Sequence, residues 1–352
     1  MRTLLVSLCL AVALPTSALA HTVDKKKDRL PGDLVSTISD SRIVESSGLA
    51  MSVKYPDLAY TMNDSGHKPT VFAIKISTGQ VVGRTEVGDQ GVEDTESIQV
   101  DSFGHLWLAD LGDNQQKRDN VSIIAFNEPG PGNFVISTTL RFPVTIEGGP
   151  TNVEGMLVNP LNDRIFLISK ASKKHATLFA LQNPLQPNQP NYARDLHKKM
   201  PAFVTDATFT SDTRRALVQT KSDEGWIFDT STWRSMDKFR LPKVQQGESI
   251  TIEPGEKTFL MGSEGTDSPI IRVPLPPDPR PAPSVNRPTA APVDPLKAEF
   301  EPLGKPKPAS TFDIGGLIWT VAITSLICIV VGTAWLRLSR RRQRRLRKVR
   351  RS

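Results

Sequence analysis

The chain has 352 residues and a formal charge of +7, but ten Lys/Arg and no acid lie in residues 337–352, which leaves −3 for everything before. A basic partner-binding surface over the bulk of the chain is therefore excluded, and the high isoelectric point belongs to the tail. Its two cysteines, Cys9 and Cys328, both lie in apolar terminal runs, so residues between them have no disulfide framework, zinc–thiolate site or thiol chemistry.

Residues 1–20 read as a signal peptide: a basic start at Arg2, an apolar run over Leu4–Leu14, and Ala18–Leu19–Ala20 as an A-x-A-like cleavage site. Residues 21–32 are charged and expected to be loose. From 33 to 274 the sequence is a succession of short apolar runs separated by Gly, Asp and Asn, the signature of strands and turns. Residues 275–313 carry proline at 276, 277, 279, 281, 283, 288, 292, 295, 302, 306 and 308. Such density disfavours ladders and predicts a semi-rigid stalk in extended polyproline II form, rising roughly 3.1 Å per residue. Residues 314–336 contain no charge, and about 20 apolar residues suffice to span a bilayer. The basic tail follows at once. That order predicts one transmembrane helix with the amino terminus outside and the tail in the cytoplasm, where it meets anionic lipid. Nucleic acid is not an expected partner.

Within 33–274 the units align. ESSGLAMSV turns into LAYTMNDSG; TESIQVD into HLWLADLGDN; VEGMLVN into RIFLISK; VTDATFT into RALVQTK; GESITIE into KTFLMGSEG. One or two further strands follow each pair, as in TVFAIKI and QVVGRTEV or VSIIAF and NFVISTTLRF, with a weak fourth strand near Tyr192 in the third unit. Glu45, Glu96, Glu154, Asp206 and Glu248 head the units at spacings of 51, 58, 52 and 42 residues. A four-stranded unit at this period predicts an all-β fold, a β-propeller of five blades, or six if two have been merged. The last unit lacks a fourth strand, and DLVSTISD at Asp33–Asp40 is left over to close the ring by pairing with it. Trp107 and Phe166 fall on second strands and read as core between blades.

The set SSGLA, NDSG, VFAIK, EDTES, LWLADLGDN, VEG, SK, QGESI and SEG resembles a family of secreted bacterial, largely actinobacterial, β-propellers, WD40-like and loosely grouped with phytase- and esterase-like propellers. The resemblance spans roughly Ser46–Pro274 and implies fold and export; Thr95 stands where that family usually has an aromatic residue.

In a propeller the five heading acids would ring one mouth of the central channel. The ends of the second strands would sit beside them: Asp64, Asp110, Asp113, Asn114 and Glu264, with Lys170, Lys221 and Arg118 as candidate anion-binding groups. Carboxylates this close raise one another's pKa or need a counter-ion, for which calcium is suited by its six to eight oxygen ligands; Glu96, Asp110 and Asp113 are the expected set. A plainer reading stands beside it, in which each acid accepts backbone N–H bonds and locks blade to blade, and NDSG and LGDN are Asx turns. No G-x-S-x-G elbow, HExxH, CxxC or complete EF-hand loop occurs. Two functions follow. One is a binding or scaffold module presenting its acidic mouth to a cell-envelope polymer or extracytoplasmic protein. The other is a calcium-dependent phosphoester or glycoside hydrolase with Glu96 activating water.

Overall fold

The computed structural model describes residues 29–281, apart from 65, 67, 89, 90, 138 and 172–174, together with 294 and 296. The expected signal peptide, the expected transmembrane helix, the basic tail and most of the expected stalk lie outside the described residues. Among the described residues there is no helix long and apolar enough to cross a membrane, and the architecture is all-β and propeller-like.

Strand β1 (Asp33–Ile38) comes first. A first group follows: β2 (Ala50–Met51), β3 (Leu58–Met62), β4 (Thr70–Lys75) and β5 (Gln80–Val87). The second is β6 (Thr95–Val100), β7 (His105–Asp110), β8 (Ser122–Asn127), β9 (Gly132–Ile136) and β10 (Leu140–Ile146). The third is β11 (Val153–Val158), β12 (Ile165–Ser169), β13 (Ala176–Leu181) and β14 (Asn191–Met200). The fourth is β15 (Val204–Phe209), β16 (Arg215–Thr220), β17 (Glu224–Asp229) and β18 (Arg234–Arg240), and the last is β19 (Gly247–Ile252), β20 (Thr258–Ser263) and β21 (Ser268–Pro274). Consecutive strands within a group pair antiparallel, except around β9.

Two pairings depart from the simple repeat. The run expected as one fourth strand, NFVISTTLRF, is two strands. β9 leaves its own group and pairs parallel with β5, while β10 pairs antiparallel with β8 and parallel with β14, joining two groups into an eight-stranded sheet. The β5–β9 contact depends on two glycines in register: a Cβ on Gly83 would stand 2.8 Å from the Gly132 carbonyl oxygen. The fourth strand near Tyr192 is the ten-residue β14, longer than its sequence suggests. β1 pairs antiparallel with β21, so chain start and chain end share a sheet.

The lead strands β2, β6, β11, β15 and β19 touch in sequence order, and β19 also touches β2, so the cycle closes. Buried apolar side chains among the described residues form five clusters, each between one group and the next. Tyr60, Ile98 and Phe126 lie between the first and second groups. Trp107, Phe142 and Leu167 lie between the second and third. Leu157, Val218 and Phe228 join the third and fourth, and Leu217, Phe239 and Phe259 the fourth and fifth. Ile38, Phe72, Ile74 and Leu260 join the fifth back to the first. Strands buried on both faces explain why the sequence shows near-continuous apolar runs here instead of strict alternation. Trp107 is fully buried as expected; Phe166 is half-buried, 5.0 Å centroid to centroid from Trp233 and 5.9 Å from Phe209.

Both ends of the expected domain run past their sequence boundaries. Leu30 N donates to the Arg240 carbonyl at 2.9 Å, tying residues 29–30 to β18. Beyond β21, Leu275 is buried, Arg215 Nη1 donates to the Pro276 carbonyl at 2.6 Å, and Arg280 forms ion pairs with Asp278 and Asp229. The first residues of the proline-rich stretch therefore lie against the strands.

Candidate functional site

The site is built by a β-bulge at one position of successive lead strands. In β6, Thr95 pairs with Asp110 and Ser97 with Ala109, which leaves Glu96 out of the ladder. The same shift leaves Glu154 unpaired between Val153 and Gly155, and Glu248 between Gly247 and Ser249. A bulge bends its strand and re-aims a side chain. Three glutamates are thereby turned to one end of the ring and buried there, with exposures of 4%, 3% and 9%.

The other two heading acids are out of register with these three. In β15 the bulge falls between Val204 and Asp206, so Thr205 holds the slot. Asp206 is one residue on, and a one-residue step reverses the direction of a strand side chain. It is fully buried and accepts bonds from Ser97 Oγ (3.1 Å), Ala207 N (2.8 Å) and Ile250 N (3.0 Å). Asp206 is thus a lock between lead strands, not a mouth ligand. Burial, only partly opposed by these bonds, pushes its pKa well above the usual range. Glu45 precedes the bridged Ser46 and stays near the mouth, where Asp64 N donates to its carbonyl at 3.0 Å.

At the mouth, Asp64, Asp94 and Glu96 each bring a carboxylate oxygen within 4.8 Å of the others. Gly112 makes the space: a Cβ there would meet the Asp94 carboxylate and stand 2.7 Å from Glu96 Oε1. The Glu96 carboxylate is buried. Its pKa is driven well above the ordinary range by burial first, then by the charges of Glu154, Asp64 and Asp94, against Lys170. Burial and the adjoining Asp64 carboxyl push Asp94 up to about 7, while Asp94 Oδ1 is buried without a donor. Carboxylates so placed share a proton or a cation. Around this trio, Glu154 is held by Lys170 Nζ at 2.7 Å and Asn152 Nδ2 at 3.0 Å, yet burial keeps its pKa raised. Glu248 is pushed up to about 7 by burial against the partial relief of Lys221 at 3.8 Å. Glu264, bonded by Gln246 Nε2, is also raised, by burial and then by Asp64 and Glu45.

The LGDN loop serves a different purpose from the one its sequence suggests. Asp110 Oδ1 accepts bonds from Glu93 N (3.1 Å), Asp94 N (3.0 Å) and Arg118 Nη2 (2.8 Å). Asp113 Oδ2 accepts Arg118 N at 2.9 Å, and Arg118 Nη1 donates to the Gly112 carbonyl at 2.6 Å. Asn152 staples the loop to the next group, accepting from Asp113 N at 2.7 Å and donating to Asn114 Oδ1 at 3.1 Å. Asp110, Asp113, Asn114 and Arg118 therefore shape the loop that delivers Asp94 and Gly112. Of the residues expected to hold calcium, Glu96, Asp110 and Asp113, the last two accept hydrogen bonds from the loop itself, and the carboxylates that converge with Glu96 are Asp64 and Asp94. Lys170 faces Glu154, Lys221 faces Glu248, and Arg118 faces Asp110. Sequence reasoning does not single out Asp94, which lies before β6 and is placed by the loop that Asp110 and Arg118 hold.

The mouth is a cup with a floor. β6 and β15 are not neighbours in the cycle of lead strands, yet Ser97 reaches Asp206 and Gln99 Nε2 donates to the Ala207 carbonyl at 3.0 Å. These bonds cross the ring's axis beneath Glu96. Compared with known proteins, the chain matches no family model and no curated protein.

Proposed function

We propose that this chain is an exported, membrane-anchored binding module: a five-bladed propeller closed by β1 on β21, carried on a single span and presenting its acidic cup to a cell-envelope polymer or extracytoplasmic protein. The observation that carries the reading is the convergence of Asp64, Asp94 and Glu96 within 4.8 Å, with Glu96 buried and Asp94 Oδ1 buried without a hydrogen-bond partner. Such an oxygen trio suits calcium, with the remaining coordination positions left for water or for ligand oxygens. Seven acids (Glu45, Asp64, Asp94, Glu96, Glu154, Glu248 and Glu264) outnumber Lys170 and Lys221 here. An anionic ligand is repelled by that balance, so the cup favours hydroxyl-rich or cationic groups. The sequence of residues 1–20 and 314–352 supports export and anchoring, and the closed cycle of five lead strands supports the blade count.

The test is an unfolding series on the full chain in detergent, with calcium or with chelator, followed by tryptophan fluorescence. A ligand held only by the folded state raises the midpoint by mass action, about 2.7 kcal/mol at a hundredfold excess over its dissociation constant. Wild type gains several degrees with calcium and Glu96→Gln gains none; calorimetry with soluble envelope glycans then shows binding that chelator abolishes. A wild-type midpoint indifferent to calcium removes the cation from this reading, and glycans and envelope proteins that all fail to bind remove the module.

A hydrolase is the second reading, favoured by carboxyls at Asp94 and Glu248 that titrate near 7 and could pass protons at neutral pH. Calcium-dependent turnover of a glycoside or phosphoester, abolished by Glu96→Gln, would establish it in place of simple binding.

A further inference from the structure

A second cluster of buried ionisable groups lies at the far end of the second and third groups. Asp101 follows β6, so it is one strand length, roughly 17 Å at about 3.3 Å per residue, from Glu96. Its four acceptor positions are filled: Oδ1 by Phe103 N and His105 N, both at 2.9 Å, and Oδ2 by His105 Nδ1 at 2.8 Å and Trp107 Nε1 at 2.9 Å. The imidazole therefore carries its proton on Nδ1, and its Nε2 lies 3.4 Å from Oδ2 of Asp294, a residue well beyond β21.

Asp163 enters this cluster from the turn between β11 and β12. Its side chain is 4% exposed, and neither carboxylate oxygen has a hydrogen-bond partner. Ligand atoms of Asp101, His105 and Asp163 lie within 4.8 Å of one another. The turn does not explain this carboxylate. Asp163 has φ +51°, which Asn or Gly adopts as readily, and the turn's own side-chain bonds come from Asn159 and Asn162.

We propose that Asp163, His105 and Asp294 bind a divalent cation of the zinc–manganese class here, with Asp101 fixing the imidazole as an outer partner. A histidine that ligates a metal commonly donates its other ring N–H to a carboxylate, as His105 does to Asp101. Imidazole with carboxylates suits first-row transition metals better than calcium, which separates this site from the all-oxygen cup. The cation ties the segment downstream of β21 to the base of the ring: Asp294 supplies a ligand, and Leu296 packs on the apolar cluster around Trp107. Arg215 and Arg280 hold the start of the same segment.

The experiment uses the full chain in detergent, stripped with chelator, in a Glu96→Gln background so that the cup does not respond. Titration with zinc and with manganese is followed by calorimetry and by the unfolding midpoint. One equivalent binds, the midpoint rises, Asp163→Asn abolishes both, and Asp294→Asn weakens binding tenfold or more. Absence of binding to the Glu96→Gln chain overturns the proposal, as does undiminished binding with Asp163→Asn. A metal-indifferent wild type that Asp163→Asn makes more stable overturns it too, because the carboxylate then merely shares a proton with Asp101. If Asp163→Asn fails to fold, metal stoichiometry of the Glu96→Gln chain and its change in Asp294→Asn decide alone.

Discussion

Gly112 sets how closely Asp94 and Glu96 approach. At the equivalent place the other second strands continue into Asp64, Lys170, Lys221 and Glu264; the last three each donate a backbone N–H to the residue before the lead strand, Asp64 N bonds to the Glu45 carbonyl, and in this group Gly112 N bonds to the Asp94 carbonyl. The backbone angles of Gly112 are open to any residue, so Gly112→Ala is a steric test and not a folding one. Its methyl would displace both carboxylates. We expect the variant to fold normally and to lose tenfold or more in calcium affinity, about 1.4 kcal/mol, read by calorimetry. Unchanged affinity would mean the trio does not coordinate the ion. At this scale the sequence was informative about Glu96, Glu154 and Glu248, whose place before an apolar run is visible. It was silent on Asp94 and Gly112, whose roles depend on how the Arg118–Asp110 pair folds the intervening loop. It was also silent on Lys170, whose partner Glu154 comes from its own lead strand, and on Lys221, whose partner Glu248 comes from the lead strand of the next group.

Among the strands, Asp206 shows what the recurring acid does when its register differs by one. Its carboxylate joins β6, β15 and β19 through Ser97, Ala207 and Ile250. Asp206→Ala leaves two buried amides and a hydroxyl without this acceptor, a loss of about 1–3 kcal/mol per group. Denaturant unfolding should show the midpoint falling with little change in slope, and calcium should still raise the stability of whatever folds. A loss of calcium response with stability intact would return Asp206 to the ligand set. Spacing alone could not separate Asp206 from the glutamates, because a bulge shifts pairing by one residue and leaves no mark in composition. The exchange of β9 onto β5 was illegible for a related reason. Parallel pairing joins segments far apart in sequence, and only the facing pair Gly83 and Gly132 hints at a close backbone approach.

For the whole ring, the strand groups and the closing role of Asp33–Ile38 were legible because the fold is a series of local hairpins with one long-range closure. The electrostatic balance was not, since it depends on which acids are buried. Asp94 and Glu248 titrate near 7, and Glu96, Glu154 and Glu264 are also raised. The unfolded chain releases these protons near pH 4. Between about pH 4 and 7 the folded state therefore binds more protons than the unfolded one, and stability falls as pH rises. Asp40, Glu253 and Asp278, the last lowered to about 2 by Arg280, act oppositely. Their contribution is lost only as pH falls below the unfolded carboxylate range. The chelated full chain should thus be most stable near pH 4 and melt progressively earlier toward pH 7. Glu248→Gln should flatten that decline, since the amide has no charge to bury, and bound calcium should flatten it by supplying the missing positive charge. A chelated wild type whose midpoint holds level or climbs from about pH 4 to 7 would show that the cup's carboxylates are not held under this strain, and the case for a cation there would lose its electrostatic basis.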